Sequence, residues 1–244
     1  MPIISLVILS RNNARFVAKA IKIAKRLRDI GEIIVVDSGS TDETPHVARR
    51  LGARVIFQSS LRFPGRGVSM RDGFYLSTGE VIVYISTDAS DIDEEFIENL
   101  YTPILSGEAD LVKYSFSVKS SSFTENTIRS LLERFYPGLA KISQLAAREF
   151  AGLRKALQVV EWEFGWGSEI GVLLDVYRAG MRIMEIKYRS RDREIKRHEL
   201  PDEALLEIIE IIVKRALRDH LINQSDADTL LAEYKKLISK ERKE

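Results

Sequence analysis

Residues 81–93 read VIVYISTDASDID, an apolar run that stops at Asp88, with Asp91 and Asp93 just beyond it. The five strand-favouring residues Val81 to Ile85 predict a strand buried on both faces, ending in a loop at the carboxyl edge of a sheet. Open α/β sheets hold their ligands at that edge. A carboxylate there, directly after a buried strand, is well sited to hold a divalent cation against the phosphates of a nucleotide. The competing reading is that Asp88 caps a helix beginning within Asp91–Ile97.

Working outward from this strand, the upstream sequence repeats the same grammar. Ile3 to Leu9 (IISLVIL) is a first buried strand, followed by a polar turn at Arg11-Asn12-Asn13. Phe16 to Leu27 carries a helical apolar stripe, and Glu32 to Asp37 is a second buried strand ending in a carboxylate. A small polar turn, residues 38–44, leads into a helix at Pro45 to Leu51, and Val55 to Gln58 is a third strand. This β-α-β-α-β order is the unit of a right-handed parallel sheet, so Ser10, Asp37 and Gln58 share one rim. Pro64-Gly65-Arg66-Gly67 falls where the rim needs a loop; it is either a plain glycine turn or a place where backbone and guanidinium approach phosphate.

Downstream, the pattern predicts a helix near Asp93 to Leu105, a strand at Asp110 to Phe116, and a serine-rich loop or seam from Ser117 to Thr127. Thr127 to Arg148 reads as two helices broken at Pro137-Gly138, and Leu153 to Val160 as another. Trp162, Phe164 and Trp166 sit among glycines before a helix at Ile170 to Ala179 and a strand at Arg182 to Ile186. Pro201 to Glu244 gives two helices broken near residues 223–226. The fold class is therefore α/β, a mostly parallel sheet flanked by helices with a helical C-terminal extension. Its divisions fall at 1–116, 117–200 and 201–244.

Composition narrows the function classes. With 37 basic and 36 acidic residues in 244, the net charge of +1 supplies no field for nucleic acid or an anionic membrane. Cysteine is absent, which excludes disulfides, thiolate metal sites and cysteine nucleophiles, and fits a reducing cytoplasm or a hot habitat. Charged residues at 30% with six prolines also suit a thermophile. No signal-peptide pattern opens the chain and no apolar run reaches the roughly 20 residues of a bilayer span, so the expectation is a soluble cytoplasmic protein.

The segments ISLVILSRNN, IIVVDSGSTDET, the PGRG loop and VIVYISTDAS resemble, in order and spacing, the donor half of nucleotide-sugar glycosyltransferases of the GT-A fold. QLAAREFAGLR (144–154) and FGWGSEIGVLLD (164–175) resemble the acceptor region of the retaining glucosyl-3-phosphoglycerate synthases and their relatives. The resemblance implies that Asp37 binds the donor's base and that Leu9, Ser10, Ser38 and the turn after it line the nucleotide site. Gly65 and Arg66 would face donor phosphate or sugar, with Arg66 standing where the family usually has lysine, a change that keeps charge but alters geometry. The family's DxD is represented by Ser86-Thr87-Asp88, with the first carboxylate missing. It implies Asp88 as metal ligand for Mg²⁺ or Mn²⁺, with Asp192 as the second ligand and His198 as its substitute. Gly165, Trp166, Gly167, Glu169, Arg148 and Arg191 would meet a small phosphorylated acceptor, and Asp88, Arg66 and Glu169 would carry catalysis. Against this, Trp162 and Trp166 also read as core, and Glu169 as a helix-cap partner of Ser168. The phosphate-binding pattern expected before Gln144 is absent, and Arg148 replaces a small residue of the family.

The implied activity is metal-dependent transfer of a hexose from a nucleoside diphosphate sugar (UDP- or GDP-hexose) to an acceptor such as 3-phosphoglycerate, with retention. A cation and guanidinium suit the negative charge that develops on the leaving diphosphate. Two alternatives stand beside it. One is an inverting polyprenyl-phosphate transferase, which needs a base such as Asp91 and a membrane-facing helix at 225–238. The other is a nucleotide-sugar binding protein without turnover, motivated by Ser86. Apolar residues of the last two helices, among them Leu205, Ile212, Leu230 and Leu237, are expected to pack on the chain's own core, with a homodimer contact as the alternative.

Overall fold

The computed structural model describes residues 3–86, 92–116, 123–143, 148–188 and 200–241. Seven strands form one sheet in the order β3-β2-β1-β4-β6-β5-β7. Strands β1 (Ile4–Ser10), β2 (Ile30–Asp37), β3 (Arg54–Phe57) and β4 (Val81–Ser86) run parallel, as do β5 (Leu111–Phe116) and β7 (Ile183–Tyr188). β6 (Phe150–Leu153) is antiparallel to both of its neighbours, β4 and β5. The α/β, mostly parallel architecture with helical C-terminal extension is as the sequence predicts.

Alternate residues of the central strands feed two cores. Val7, Leu9, Ile34, Val36, Ile82 and Tyr84 face one side, where they meet α3 (Gly67–Leu76), α5 (Phe123–Phe135), α7 (Ser168–Arg178) and α8 (Asp202–Arg218). Leu6, Ile8, Val35, Val83 and Ile85 face the other, against α1 (Ala14–Ala24) and α4 (Glu94–Leu105), with α2 (Thr44–Arg50) at the margin. All six residues of β4 are buried, because helices cover both faces. Each fully buried Val, Ile or Leu contributes about 1.5–3 kcal/mol, so burial rather than strand propensity fixes this core.

Two expectations are corrected. The stretch 150–153, read as the approach to a helix, is strand β6, and the helix that follows, α6, is a single turn at Arg154–Leu157. The helix expected after the Pro137-Gly138 break does not form over 138–143: those residues are turns, and Arg129 donates to the carbonyls of Ala140, Ile142 and Ser143 at 2.5, 3.2 and 3.1 Å. Carbonyls bound to a guanidinium do not serve a helix ladder. The start of α5 at Phe123 also shortens the expected 117–127 loop.

The C-terminal helices are integral to the fold. Arg215 of α8 is fully buried and pairs with Asp175 of α7 at 2.9 Å and with Glu163 at 2.7 Å. In α9 (Gln224–Glu241), Ala227, Leu230 and Ile238 are buried against the core, so most of the apolar face expected of a membrane-facing helix is turned inward, whereas Leu237, expected to pack there too, is 41% exposed. Among the described residues, no helix is long and apolar enough to cross a membrane.

Candidate active site

Parallel register brings the strand ends level. Ser10 lies beside Asp37, Asp37 beside Phe57, and Leu9 beside Ser86, so β1 to β4 finish at one rim. The turns leaving β1 and β2 clasp each other. Asn12 takes a left-handed backbone (φ 51°), its amide donates to Ser40 Oγ at 2.9 Å, and its Oδ1 accepts from Thr41 N at 2.7 Å. Asparagine tolerates this conformation where most side chains resist it. Asn13 then caps α1, accepting from Phe16 N at 3.1 Å.

A cleft of about 490 Å³ opens above this rim, bounded by Leu9, Ser10, Ser38, Gln58, Gly65, Arg66 and Ser86 among others. Asp37 is 1% exposed; its Oδ2 accepts from Ser40 N at 3.0 Å, while Oδ1 has no partner among the described residues. The same holds for Ser10 Oγ, Gln58 Oε1 and Arg66 Nη1. Ser10, Gln58 and Arg66 line the cleft and Asp37 lies beside Ser10 on the same rim; four buried polar atoms left unsatisfied along one rim are a costly arrangement for a purely structural edge, and a hydrogen-bonding ligand would complete them.

The PGRG loop carries Arg66 into the cleft by packing tightly on the segment before α7. Gly65 has φ 89°, and a Cβ there would lie 2.7 Å from the Gly165 carbonyl carbon; one at Gly67 would overlap the Glu163 carbonyl oxygen. Glycine is required at both positions for this approach. Val68 N then donates to Phe164 O at 3.3 Å. Arg66 Nη2 is ion-paired with Glu169 Oε1, in the first turn of α7, so two of the three predicted catalytic side chains meet.

The remaining predicted residues divide. Gly165 and Gly167 have a packing reason: their Cβ positions would strike Glu207 and Ile211 of α8. Trp166 is half-buried beside them, and Trp162 packs at 5.3 Å on Phe74 as a core residue. Arg148 is exposed just ahead of β6. Asp93, not Asp88, caps α4, accepting from Phe96 N at 2.8 Å, so the helix-cap role once open to Asp88 is taken. Thr87, Asp88, Asp91, Arg191, Asp192 and His198 lie outside the described residues. Among the described residues, no group of three His, Asp or Glu could hold a metal. His46 and His220 are exposed.

Glu149 was not anticipated. It is 3% exposed and accepts from Ser86 Oγ at 3.1 Å across 63 positions of sequence, a pairing that no local pattern announces.

Residues 5–157 match glycosyl transferase family 2. The chain belongs to that family. It is thus a nucleotide-sugar glycosyltransferase of the GT-A fold, as the strand and turn motifs imply. The glucosyl-3-phosphoglycerate synthase of Petrotoga mobilis is 29% identical over 267 residues, covering 99% of this chain and 81% of that protein. That of Mycolicibacterium smegmatis is 32% identical over 193 residues, covering 71% of this chain and 64% of that protein. The crystal structure of the Mycobacterium tuberculosis glucosyl-3-phosphoglycerate synthase with Mn²⁺, UDP-glucose and phosphoglyceric acid superimposes with a TM-score of 0.75 at 29% identity, covering 88% of this chain and 79% of that one.

Proposed function

We propose that this glycosyltransferase moves a hexose from a nucleoside diphosphate hexose to a small phosphorylated acceptor of the 3-phosphoglycerate type, with retention. The observation that carries the reading is the set of unsatisfied polar atoms on Ser10, Gln58 and Arg66 lining the cleft, with Asp37 beside Ser10 on the same rim. Similarity over nearly the whole chain to a glucosyl-3-phosphoglycerate synthase, and to a structure holding UDP-glucose and phosphoglyceric acid, supports glucose and that acceptor.

Asp37 Oδ1 is an acceptor for an N–H of the base, and Leu9, Ser10 and Ser38 line the nucleotide. Arg66, braced by Glu169, offers its second guanidinium nitrogen to the diphosphate, where negative charge grows as the anomeric bond breaks. The departing phosphate oxygen takes the proton of the acceptor hydroxyl, so no protein nucleophile is required.

The donor set of Asp88, two residues beyond Ser86 on the cleft wall, with Asp192 or His198, is hard oxygen with imidazole and fits Mg²⁺ or Mn²⁺. A bound cation supplies charge neutralisation at the diphosphate. Arg148, Arg191 and the face near Trp166 are proposed to meet the acceptor, residues 1–200 to form the catalytic unit, and the setting to be cytoplasmic. A matrix of nucleotide sugars and acceptors, assayed with Mg²⁺, Mn²⁺ and chelator, tests this. Glucosyl transfer to 3-phosphoglycerate that stops with chelator supports the reading, and binding without transfer to any acceptor contradicts it.

A further inference from the structure

Strand β6 enters the sheet against the direction of β4, with Phe150 opposite Tyr84. The residue before it, Glu149, therefore arrives at the level where β4 ends. Its backbone oxygen accepts from Tyr114 N at 3.1 Å, which fixes it to β5 as well. Its side chain is 3% exposed and its Oε1 accepts from Ser86 Oγ at 3.1 Å, while Ser86 itself is 2% exposed and bounds the cleft.

Carboxylates are among the groups least often buried, and a neutral glutamine would satisfy a serine hydroxyl equally well. A carboxylate does two further things. Being acceptor-only when ionised, it takes the Ser86 proton in its hydrogen bond and so fixes the orientation of that hydroxyl. It also places negative charge one hydrogen bond behind the cleft wall, in a low-dielectric setting where charge acts strongly.

We propose that Glu149 is a positioning residue for the donor site: by holding the Ser86 hydroxyl and supplying charge behind it, it performs from β6 the acidic function that the end of β4 lacks at position 86. The inference rests on reading the cleft as a nucleotide-sugar site. The ligand class it serves is the sugar hydroxyls and cation of a nucleoside diphosphate hexose, which both prefer an acceptor-rich, negative wall.

The test is calorimetric titration of the full chain with UDP-glucose in the presence of Mn²⁺, for the wild type, Glu149→Gln, Ser86→Ala and the double variant Ser86→Asp with Glu149→Gln. Glu149→Gln keeps shape and hydrogen bonding but removes charge, and is expected to weaken binding about tenfold, with a matching rise in the Mn²⁺ needed for half-saturation. The double variant returns one carboxylate to the site and is expected to recover most of that loss. Should Glu149→Gln fail to fold, Ser86→Ala, which keeps Glu149 and removes only the hydroxyl it holds, is expected to weaken UDP-glucose binding about fivefold, and wild-type binding by that variant overturns the inference. Wild-type binding by Glu149→Gln, or a double variant no better than the single ones, overturns the inference. A wild-type chain that binds no UDP-glucose contradicts the parent reading of the cleft, and the inference falls with it.

Discussion

Arg66, at the entry to α3, and Glu169, in the first turn of α7, are 103 positions apart in sequence and form an ion pair at the cleft. The pair joins the Pro64–Gly67 loop to α7 itself. The Arg66 side chain is 25% exposed and the Glu169 side chain 8%, so the pair is largely buried and ties the aim of Arg66 to the packing of α7. Arg66→Ala is expected to lower kcat/KM by about 10²–10³-fold, the range seen on removing one donor from a developing anion. Melting temperature should fall as well, because Arg66→Ala leaves the largely buried Glu169 carboxylate without its guanidinium. Arg66→Lys should recover only part of the loss, since lysine keeps charge without the fork. Steady-state kinetics with thermal unfolding checks all three.

The loop that carries Arg66 has no room for side chains. Gly67→Ala would drive a methyl into the Glu163 carbonyl, and Gly65→Ala would also strain a left-handed backbone. Each is expected to cost about 1–3 kcal/mol of stability, read by urea unfolding, and to reduce activity beyond that because Arg66 loses its seat.

Arg215 is the deepest cation in the fold, fully buried between Asp175 and Glu163. Burial disfavours its charge, yet the bonds from Asp175 and Glu163 hold it protonated above the ordinary arginine range. Removing one partner of such a buried pair costs about 3–5 kcal/mol, so Arg215→Ala should unfold at far lower urea than wild type. Arg215→Met together with Asp175→Leu, which removes the two most buried charges while Glu163 keeps Lys214 and Arg218 keeps Glu161 and Asp219, should be milder.

Asp110 ties β5 to β7 by accepting from Arg182 N and Nε, both at 3.0 Å. The Arg182 hydrogen bond, helped by Lys155, holds its carboxyl down at about 2 against an ordinary 3.8. A carboxylate depressed in the folded state stabilises fully above its unfolded pKa and loses that contribution as pH falls through the folded one. Asp110→Asn should therefore be less stable than wild type at pH 7, with the gap closing between pH 3.8 and about 2. Unfolding curves across that window check it.

Much of this was legible in sequence because the central strands are buried on both faces and leave unbroken apolar runs, as Val81–Ile85 and Ile33–Val36 do. The rim followed from the β-α-β order, which sets Ser10, Asp37 and Gln58 level. Strand β6 was not legible: Phe150–Leu153 is four residues long, too short for a period, and its strand identity comes from β4 and β5 on either side. The glycines at 165 and 167 read as room for a ligand, whereas the space they leave is filled by α8, which only the tertiary fold brings there. Glu149 was missed for the same reason, its partner being distant in sequence.

The most direct test of the central claim is a crystal structure of the full chain with UDP-glucose and Mn²⁺. The account predicts the base against Asp37 Oδ1, the diphosphate beside Arg66, and the cation held by Asp88 between the phosphates. A cleft empty under saturating ligand, or a nucleotide bound with Asp37 and Arg66 uninvolved, would contradict it.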